Sequence, residues 1–260
     1  MINMSEQNTN KVSFDNWDDH WQKQNDLADF NPGQILRHKL VFREIERVYE
    51  NTNVLVDFGS GQGDLIKRLT NRFKKIHMIG LEYSQVGVDF SSRSNPEAEF
   101  YKADLTLPLP DDMLKLSPDL ITCCDVMEHI DAPELVVKNA FNMLKAGGYF
   151  IVTLPGGPMT KLDHHIGHRK HYDRKSLENL LRAGGFENSV IYQAGWPFFN
   201  LYRLMLLARG ESLVDDVSIH TSHMKTRAIK IIGTLFAILF KLNLKNFSGG
   251  WQMLAVARKS

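Results

Sequence analysis

Cysteine is scarce in this chain of 260 residues, and the scarcity narrows the classes of protein to which it can belong. The two cysteines, Cys123 and Cys124, are adjacent within an apolar run. Adjacent cysteines suit neither a disulfide framework nor the paired spacing of structural zinc ligands. The simplest interpretation is a protein of the reducing cytoplasm.

An excess of charge of either sign is also missing. Lys and Arg together number 31, Asp and Glu together number 30, and the formal net charge is +1. No overall field therefore recruits nucleic acid or an anionic membrane, so any partner must be selected locally. The sequence has no basic stripe with interleaved aromatic residues, and we expect no nucleic-acid partner.

Long apolar runs are absent as well. The segment Ala228–Phe240 is nearly apolar, but its 13 residues fall short of the ~20 that a membrane-spanning helix needs. The polar segment Met1–Asn10 lacks the apolar core of a secretory signal. We therefore expect neither a membrane-spanning helix nor a secretory signal.

From Val54 onward, short apolar runs alternate with amphipathic stretches, which is the pattern of a parallel sheet wrapped by helices. We predict an α/β fold with a Rossmann-like, seven-stranded, mostly parallel sheet, helices on both faces and a helical insertion before the last strand. The predicted strands are Val54–Phe58, Ile76–Leu81, Glu99–Lys102, Asp119–Cys124, Tyr149–Leu154, Asn188–Gln193 and Gln252–Arg258. The predicted parts are an N-terminal helical segment (1–50), a cofactor-binding core (51–194), a helical insertion or lid (195–250) and a closing strand (251–260).

Two helices carry clear end signals. After the fourth strand, Asp131 is the expected N-cap, with Glu134 three residues on and Gly147 to end the helix. After the fifth strand, a helix is expected to begin near Asp173 and to end at Gly184.

The first strand runs into the pattern Asp57-x-Gly59-x-Gly61-x-Gly63 and then into a helix. Glycine lets such a turn be tight and lets the backbone approach a ligand. Asp57, at the end of the strand, could accept a hydrogen bond from a ligand's ammonium group. A dinucleotide-binding turn is the rival interpretation, but its last glycine or alanine would fall at position 64, which is Asp64.

These motifs resemble the class I S-adenosylmethionine-dependent methyltransferases, in the group that includes quinone-biosynthesis enzymes. The resemblance covers about Val54 to Phe186 and the closing strand. It implies S-adenosylmethionine as cofactor and S-adenosylhomocysteine as product. The residues implied to hold the cofactor are Asp57, Gly59, Ser60, Gly61 and Gly63 in the first motif, Glu82 and Tyr83 after the second strand, Asp104 and Leu105 after the third, and Asp125 after the fourth.

A histidine-rich segment follows the fifth strand, where relatives fold a segment over the mouth of the active site. By that resemblance His168 is the first candidate for a general base, with His165 and His164 as further candidates, because neutral histidine can take a proton near pH 7. Arg169 and Tyr172 are the corresponding candidates for substrate binding. Two alternatives stay open: His168 and Tyr172 only brace the loop, or Asp163, His164 and His168 bind a metal. We expect no metal, since this spacing lacks a companion ligand.

The insertion contains an aromatic stretch in which Trp196, Phe199 and Tyr202 are candidate walls of an apolar substrate pocket. Its helices are expected to pack on each other as a lid. Alternatives are an interfacial helix over 224–242, flanked by basic residues and touching a membrane, and homodimerisation through an exposed apolar face.

The expected function is methyl transfer to a small or medium-sized acceptor, at oxygen rather than nitrogen because a candidate base is present. One alternative is a methyltransferase for a lipid-linked or glycan precursor, cytoplasmic but peripheral at the inner face of the membrane. An alternative of another class is a non-catalytic module that binds S-adenosylmethionine.

Overall fold

The computed structural model describes residues 16–23, 32–209 and 233–260, and within them seven strands form one sheet. The strands are β1 (Val54–Phe58), β2 (His77–Glu82), β3 (Glu99–Lys102), β4 (Leu120–Cys124), β5 (Tyr149–Pro155), β6 (Asn188–Ala194) and β7 (Gln252–Arg258). Their order is β3-β2-β1-β4-β5-β7-β6, and only β7 runs antiparallel to its neighbours. The predicted mostly parallel sheet is confirmed, with strand ends displaced by at most one residue.

Ten helices accompany the sheet in the described ranges. They are α1 (Trp17–Lys23), α2 (Pro32–Val48), α3 (Asp64–Arg72), α4 (Gln85–Ser94), α5 (Asp111–Leu114), α6 (Pro133–Met143), α7 (Lys161–His165), α8 (Arg174–Ala183), α9 (Phe198–Arg209) and α10 (233–239). Single 3₁₀ turns occur at Tyr49–Asn51, Met127–His129 and Phe240–Leu242. The N-terminal stretch Met1–Asn10 and the first part of the 224–242 segment, 224–232, lie outside the described residues.

Each face of the sheet has its own apolar core. Alternate residues of a strand point to opposite faces, so Val56 and Phe58 belong to one core while Leu55 belongs to the other. Helices α6 and α8 cover the first face, with Val136 and Leu177 fully buried there. Helices α2, α3 and α9 cover the second face. The prediction of helices on both faces is confirmed.

Both predicted ends of α8 are confirmed, including its end before Gly184, but the predicted N-cap of α6 is wrong. Asp173 caps α8 by accepting a hydrogen bond from the Ser176 N–H (2.7 Å), and Ser176 Oγ in turn accepts one from the Asp173 N–H (3.0 Å). Asp131 does not cap α6: the helix begins at Pro133, whose fixed φ suits the first helical position, and Ala132 precedes it. The Asp131 carboxylate instead pairs with Arg169 at 2.8 Å.

The predicted end of α6 at Gly147 is also wrong. The helix ends at Met143, where the next residue, Leu144, turns to an extended conformation. Leu144 is almost fully buried beside the first core, which fixes the chain direction there. Gly147, with φ of +78°, lies in the turn before β5.

The predicted helical insertion lies between β6 and β7 and includes α9 and α10. Between ring centroids, Tyr202 of α9 lies 5.1 Å from Phe236 of α10, and Phe199 of α9 lies 5.7 Å from Phe240 in the 3₁₀ turn that follows α10. Both helices contribute to the core on the second face. No helix within the described ranges is long and apolar enough to cross a membrane.

Candidate functional site

The turn after β1 has room only for glycine. Gly59 and Gly61 have φ values of +69° and +54°, which L side chains rarely adopt. A Cβ atom on Gly59 would lie 2.4 Å from Val126 Cγ2, and one on Gly61 would lie 2.8 Å from the Trp21 ring. The N–H groups of Gly59 and Ser60 both donate to the Leu81 carbonyl, at 2.8 and 3.1 Å, which fastens the turn to the end of β2.

A cavity of about 870 Å³ opens beside this turn, at the carboxyl ends of β1, β2, β3 and β4. Ligands of open α/β sheets bind at this edge. Nine of the ten residues expected to hold the cofactor line it: Asp57, Gly59, Ser60, Gly61, Glu82, Tyr83, Asp104, Leu105 and Asp125. The tenth, Gly63, precedes α3 with φ of +81° and is not part of the lining.

Asp57 places a carboxylate on the wall with little solvent around it. The residue is 3% exposed, and its Oδ1 accepts a hydrogen bond from Thr122 Oγ1 at 2.7 Å. Burial raises the pKa of Asp57 to about 7, and the nearby Glu82 contributes in the same direction. A cationic ligand group would offset the cost of keeping this buried carboxylate ionised, so the position fits an ammonium group.

Glu82 is fixed by donors on both carboxylate oxygens. Gly61 N–H donates to Oε2 at 2.8 Å, and Ser84 N–H donates to Oε1 at 3.0 Å. Burial raises the pKa of this carboxyl, and the two backbone hydrogen bonds act against the rise. A carboxylate held in this way can accept further hydrogen bonds from a pair of hydroxyl groups.

The next two strand ends add two more carboxylates. Asp104 Oδ1 accepts hydrogen bonds from Thr106 N–H (2.9 Å) and Thr106 Oγ1 (2.6 Å), so the Asp104 side chain is held by its own turn. Asp125, with φ of +54°, forms an ion pair with Arg37 of α2. Ser60 Oγ is buried on the same wall with no hydrogen-bond partner in the described structure.

Helices α1 and α2 complete the wall of the cavity, and this role of the two helices was not predicted from the sequence. Trp21 Nε1 donates to Glu82 Oε1 at 3.4 Å, and the Trp21 carbonyl accepts from Gln62 Nε2 at 3.1 Å. Trp17 lies 5.1 Å from the His129 ring. On α2, Gln34, Arg37 and His38 line the cavity. Their spacing of three and four residues places them on one helix face. This polar face is the sequence signal that could have predicted their place in the cavity.

The cavity lining also includes His129, Ile130, Ile166, His168 and Arg169. Burial lowers the pKa of His168 to about 2, and the neighbouring His129 and His171 add to the effect, so its imidazole is neutral at physiological pH. Glu128, which precedes His129 in the chain, is fully buried, and neither of its oxygens has a hydrogen-bond partner among the described residues. Burial, with Asp125 as the second cause, raises the pKa of Glu128 well above its usual range.

Of the remaining candidates of the histidine-rich segment, only Arg169 lines the cavity. Its guanidinium, however, donates to the His129 carbonyl (2.7 Å) and to Asp131 (2.9 Å). Tyr172 is buried outside the lining, and its hydroxyl donates to the Met127 carbonyl at 3.2 Å, as in the bracing alternative. His164 and His165 are exposed on α7 and lie outside the lining.

The aromatic residues of the insertion also lie outside the cavity lining. Trp196 is 41% exposed and packs on Phe247 at 5.4 Å between ring centroids. Phe199 is buried in the core of the second face, and Tyr202 packs there against α10. The insertion therefore packs against the sheet, and these three side chains do not reach the described cavity.

Residues 34–190 match the family model described as a methyltransferase domain. The match covers more than half of the chain, and the chain belongs to this family. A protein of Mycolicibacterium smegmatis named "probable S-adenosylmethionine-dependent methyltransferase" is 29% identical over 159 residues, which are 58% of each chain. A trans-aconitate 2-methyltransferase of Variovorax paradoxus is 27% identical over 124 residues, 48% of this chain and 44% of that protein.

The chain thus matches only about half the length of these curated relatives. Among solved structures, a SAM-dependent methyltransferase from Archaeoglobus fulgidus superposes with a TM-score of 0.50 at 17% identity, covering 85% of this chain and 94% of that one. A phosphoethanolamine N-methyltransferase from Haemonchus contortus, solved with S-adenosyl-L-methionine, gives a TM-score of 0.53 at 12% identity, covering 80% and 49%. At such identities the likeness supports the fold.

Proposed function

We propose that the protein binds S-adenosylmethionine in this cavity and catalyses transfer of its methyl group to a small or medium-sized acceptor. The observation that carries the proposal is the pair of buried carboxylates, Asp57 and Glu82, on either side of a turn that only glycine can form. Asp57 would hold the amino group of the cofactor, Glu82 its ribose hydroxyls and Asp104 its adenine amino group. When bound, the cofactor supplies a methyl group on a sulfonium, which is already an activated electrophile.

The protein's own contribution is then positioning and the exclusion of water. Trp17 and Trp21 of α1 line the cavity, with Trp21 beside Glu82 and Trp17 beside His129, and their bulk would keep water from the reacting atoms. The apolar side chains of Ile130 and Ile166 line the same cavity as His129 and His168. An acceptor bound there would meet both apolar side chains and imidazole groups.

We propose oxygen as the methylated atom, with His168 as the base. An alcohol or phenol must lose its proton during transfer, and a neutral imidazole on the wall can accept it. One matched relative is named for trans-aconitate, so organic acids belong among the acceptors to test. His164 and His165 are not retained as candidate bases, since both lie outside the cavity lining.

Calorimetric titration with S-adenosylmethionine, followed by release of S-adenosylhomocysteine with a panel of phenols, alcohols, organic acids and amines, tests the proposal. Asp57→Asn and Glu82→Gln should each weaken cofactor binding about 10- to 100-fold, because each removes a charged hydrogen-bonding partner. Asp112→Asn, on a side chain that is 93% exposed, is the matched control. Absence of binding by the unmodified protein would overturn the proposal, and binding without release for any acceptor would favour a non-catalytic binding module.

A lipid-linked acceptor at a membrane surface is the second candidate, and the outer face of the insertion favours it. Most of the exposed large apolar side chains of the described ranges lie there: Trp196, Leu201, Leu204, Leu235, Ile238, Leu242, Leu244 and Phe247. The stretch 233–250 contains Lys241 and Lys245 and no acidic residue. Co-sedimentation with vesicles of anionic and of neutral lipid tests this candidate. Binding only to anionic vesicles and loss of that binding in high salt would support it, whereas no binding to either would remove it.

A further inference from the structure

The Nδ1 atom of His168 begins a chain of hydrogen bonds. His168 Nδ1 lies 3.1 Å from His171 Nε2, and His171 Nδ1 lies 3.1 Å from the Gly157 carbonyl oxygen. The side chains of His168 and His171 are 9% and 4% exposed. Of the two rings, only His168 lines the cavity.

The carbonyl at the end of this chain fixes the proton on His171. A carbonyl oxygen can only accept a hydrogen bond, so His171 Nδ1 must carry the proton. Burial lowers the pKa of His171, which keeps the ring neutral at pH 7. A neutral ring has one N–H, and His171 Nε2 is therefore an acceptor.

The same reasoning carries over to the next ring. His171 Nε2 can only accept, so His168 Nδ1 must donate to it. Because the His168 imidazole is also neutral, its Nε2 carries no proton. That atom is on the edge of the ring opposite His171. His168 itself lines the cavity, and its ring lies 4.8 Å from the His129 ring between centroids.

We propose that His171 is a positioning residue: through Gly157, it holds His168 in the tautomer that carries its proton on Nδ1, and so leaves the Nε2 lone pair of this cavity-lining ring available to take a proton from the acceptor. A proton taken from the acceptor would then form its new bond at Nε2. The effect on turnover rests on the proposed function, but the tautomer itself does not.

Asp163 supports the arrangement from the side. Asp163 is 2% exposed, and its Oδ2 atom accepts hydrogen bonds from Thr160 Oγ1 (2.8 Å) and from Arg203 of α9 (3.0 Å). Its other oxygen, Oδ1, faces His168 Nδ1 at 3.8 Å and His171 Nε2 at 3.7 Å. A transient positive charge on His168 would be stabilised by this carboxylate.

The same three atoms lie close enough together to hold one metal ion. Arg203 argues against that occupant, because it already places a positive charge on the Asp163 carboxylate. The contacts of His168 Nδ1 and of both His171 nitrogens are satisfied by protons alone. We therefore favour the hydrogen-bonded arrangement and make the metal an outcome of the test.

Nitrogen-15 NMR of histidine-labelled protein measures the tautomers directly. The His168 signals, assigned from their loss in His168→Gln, should show a protonated Nδ1 and an unprotonated Nε2, and the His171 signals should show the same pattern. A proton on His168 Nε2 would overturn the proposal. So would metal analysis that finds one ion per chain with either ring coordinated.

Two variants then test the part played by His171. His171→Phe keeps a ring but removes the acceptor, so His168 should lose its single tautomer and kcat should fall about 10- to 100-fold with little change in cofactor affinity. His171→Gln can place an amide oxygen near the position of Nε2 and should therefore retain both the single tautomer of His168 and the turnover rate. His77→Phe, on an exposed histidine at the start of β2, is the matched control.

An unchanged tautomer and turnover in His171→Phe would refute the positioning role. If the unmodified protein releases no S-adenosylhomocysteine with any acceptor, the proposed function fails. The NMR measurement still decides the tautomer in that case.

Discussion

Replacing Asp57 with asparagine should make the empty protein more stable at about pH 8 while weakening its affinity for the cofactor. The carboxyl is 3% exposed, and burial raises its pKa from 3.8 to about 7. At ~1.4 kcal/mol for each pKa unit, keeping this carboxyl ionised in the empty cavity costs about 4 kcal/mol. Asparagine carries no charge, and its Oδ1 can still accept the hydrogen bond from Thr122.

The sign of the pH dependence follows from the direction of the shift. Because the pKa of Asp57 is higher in the folded protein than in the unfolded chain, the unfolded chain releases this proton first as the pH rises. The free energy of unfolding of the empty protein should therefore fall between about pH 4 and pH 7 and then level off. The variant should lack that part of the pH dependence.

Urea unfolding at about pH 5 and pH 8, with and without S-adenosylmethionine, measures both effects. We expect the difference in free energy of unfolding to favour the variant at pH 8 and to shrink toward pH 5. The ligand should stabilise the unmodified protein much more than the variant, since only a bound ligand adds to the stability of the folded state. The reasoning would be refuted if the variant's advantage in free energy of unfolding were smaller at pH 8 than at pH 5. It would also be refuted if the ligand stabilised both proteins equally.

Three further substitutions test other parts of the site. Gly59→Ala should lower the melting temperature and abolish cofactor binding, since its Cβ would lie 2.4 Å from Val126 Cγ2 at a φ of +69°; binding that survives in calorimetry would contradict this. Trp21→Phe removes the N–H that donates to Glu82, so we expect weaker cofactor binding at nearly unchanged stability, and unaltered affinity would show that this contact is dispensable. Glu128→Met removes a fully buried carboxyl without a hydrogen-bond partner in the described structure and should raise the free energy of unfolding by about 1–3 kcal/mol. Because burial raises the pKa of Glu128, that gain should grow as the pH rises above about 4.5, and a gain that shrinks with pH would refute the assignment.

The strands and the glycine turn could be predicted because their signals are local. Each strand is a short apolar run between turn residues, and the turn depends on glycines that are adjacent to β1 in the sequence. The carboxylates Asp57, Glu82 and Asp104 follow directly, because the carboxyl ends of neighbouring parallel strands meet at one edge of the sheet.

The remaining features depend on contacts between residues far apart in the chain. The approach of Trp21 to Glu82 and of Arg37 to Asp125 joins helices before the sheet to strand ends well beyond them. Asp131 fits the capping pattern locally, but Arg169, 38 residues later, takes its carboxylate. Phe199 reads as a pocket wall from composition alone, and only its packing on Phe240 places it in the core of the second face.

The strand that comes last in chain order, β7, lies in the interior of the sheet between β5 and β6. Until it is in place, both of those strands present unpaired backbone N–H and C=O groups, and β6 has no neighbour in the sheet. Such open edges are templates for pairing with another chain. The strands that form the glycine turn and the first two carboxylates, β1 and β2, are paired independently of β7. Expression conditions that slow the arrival of β7 should therefore produce aggregates in which the proposed cofactor-binding half of the sheet is already formed.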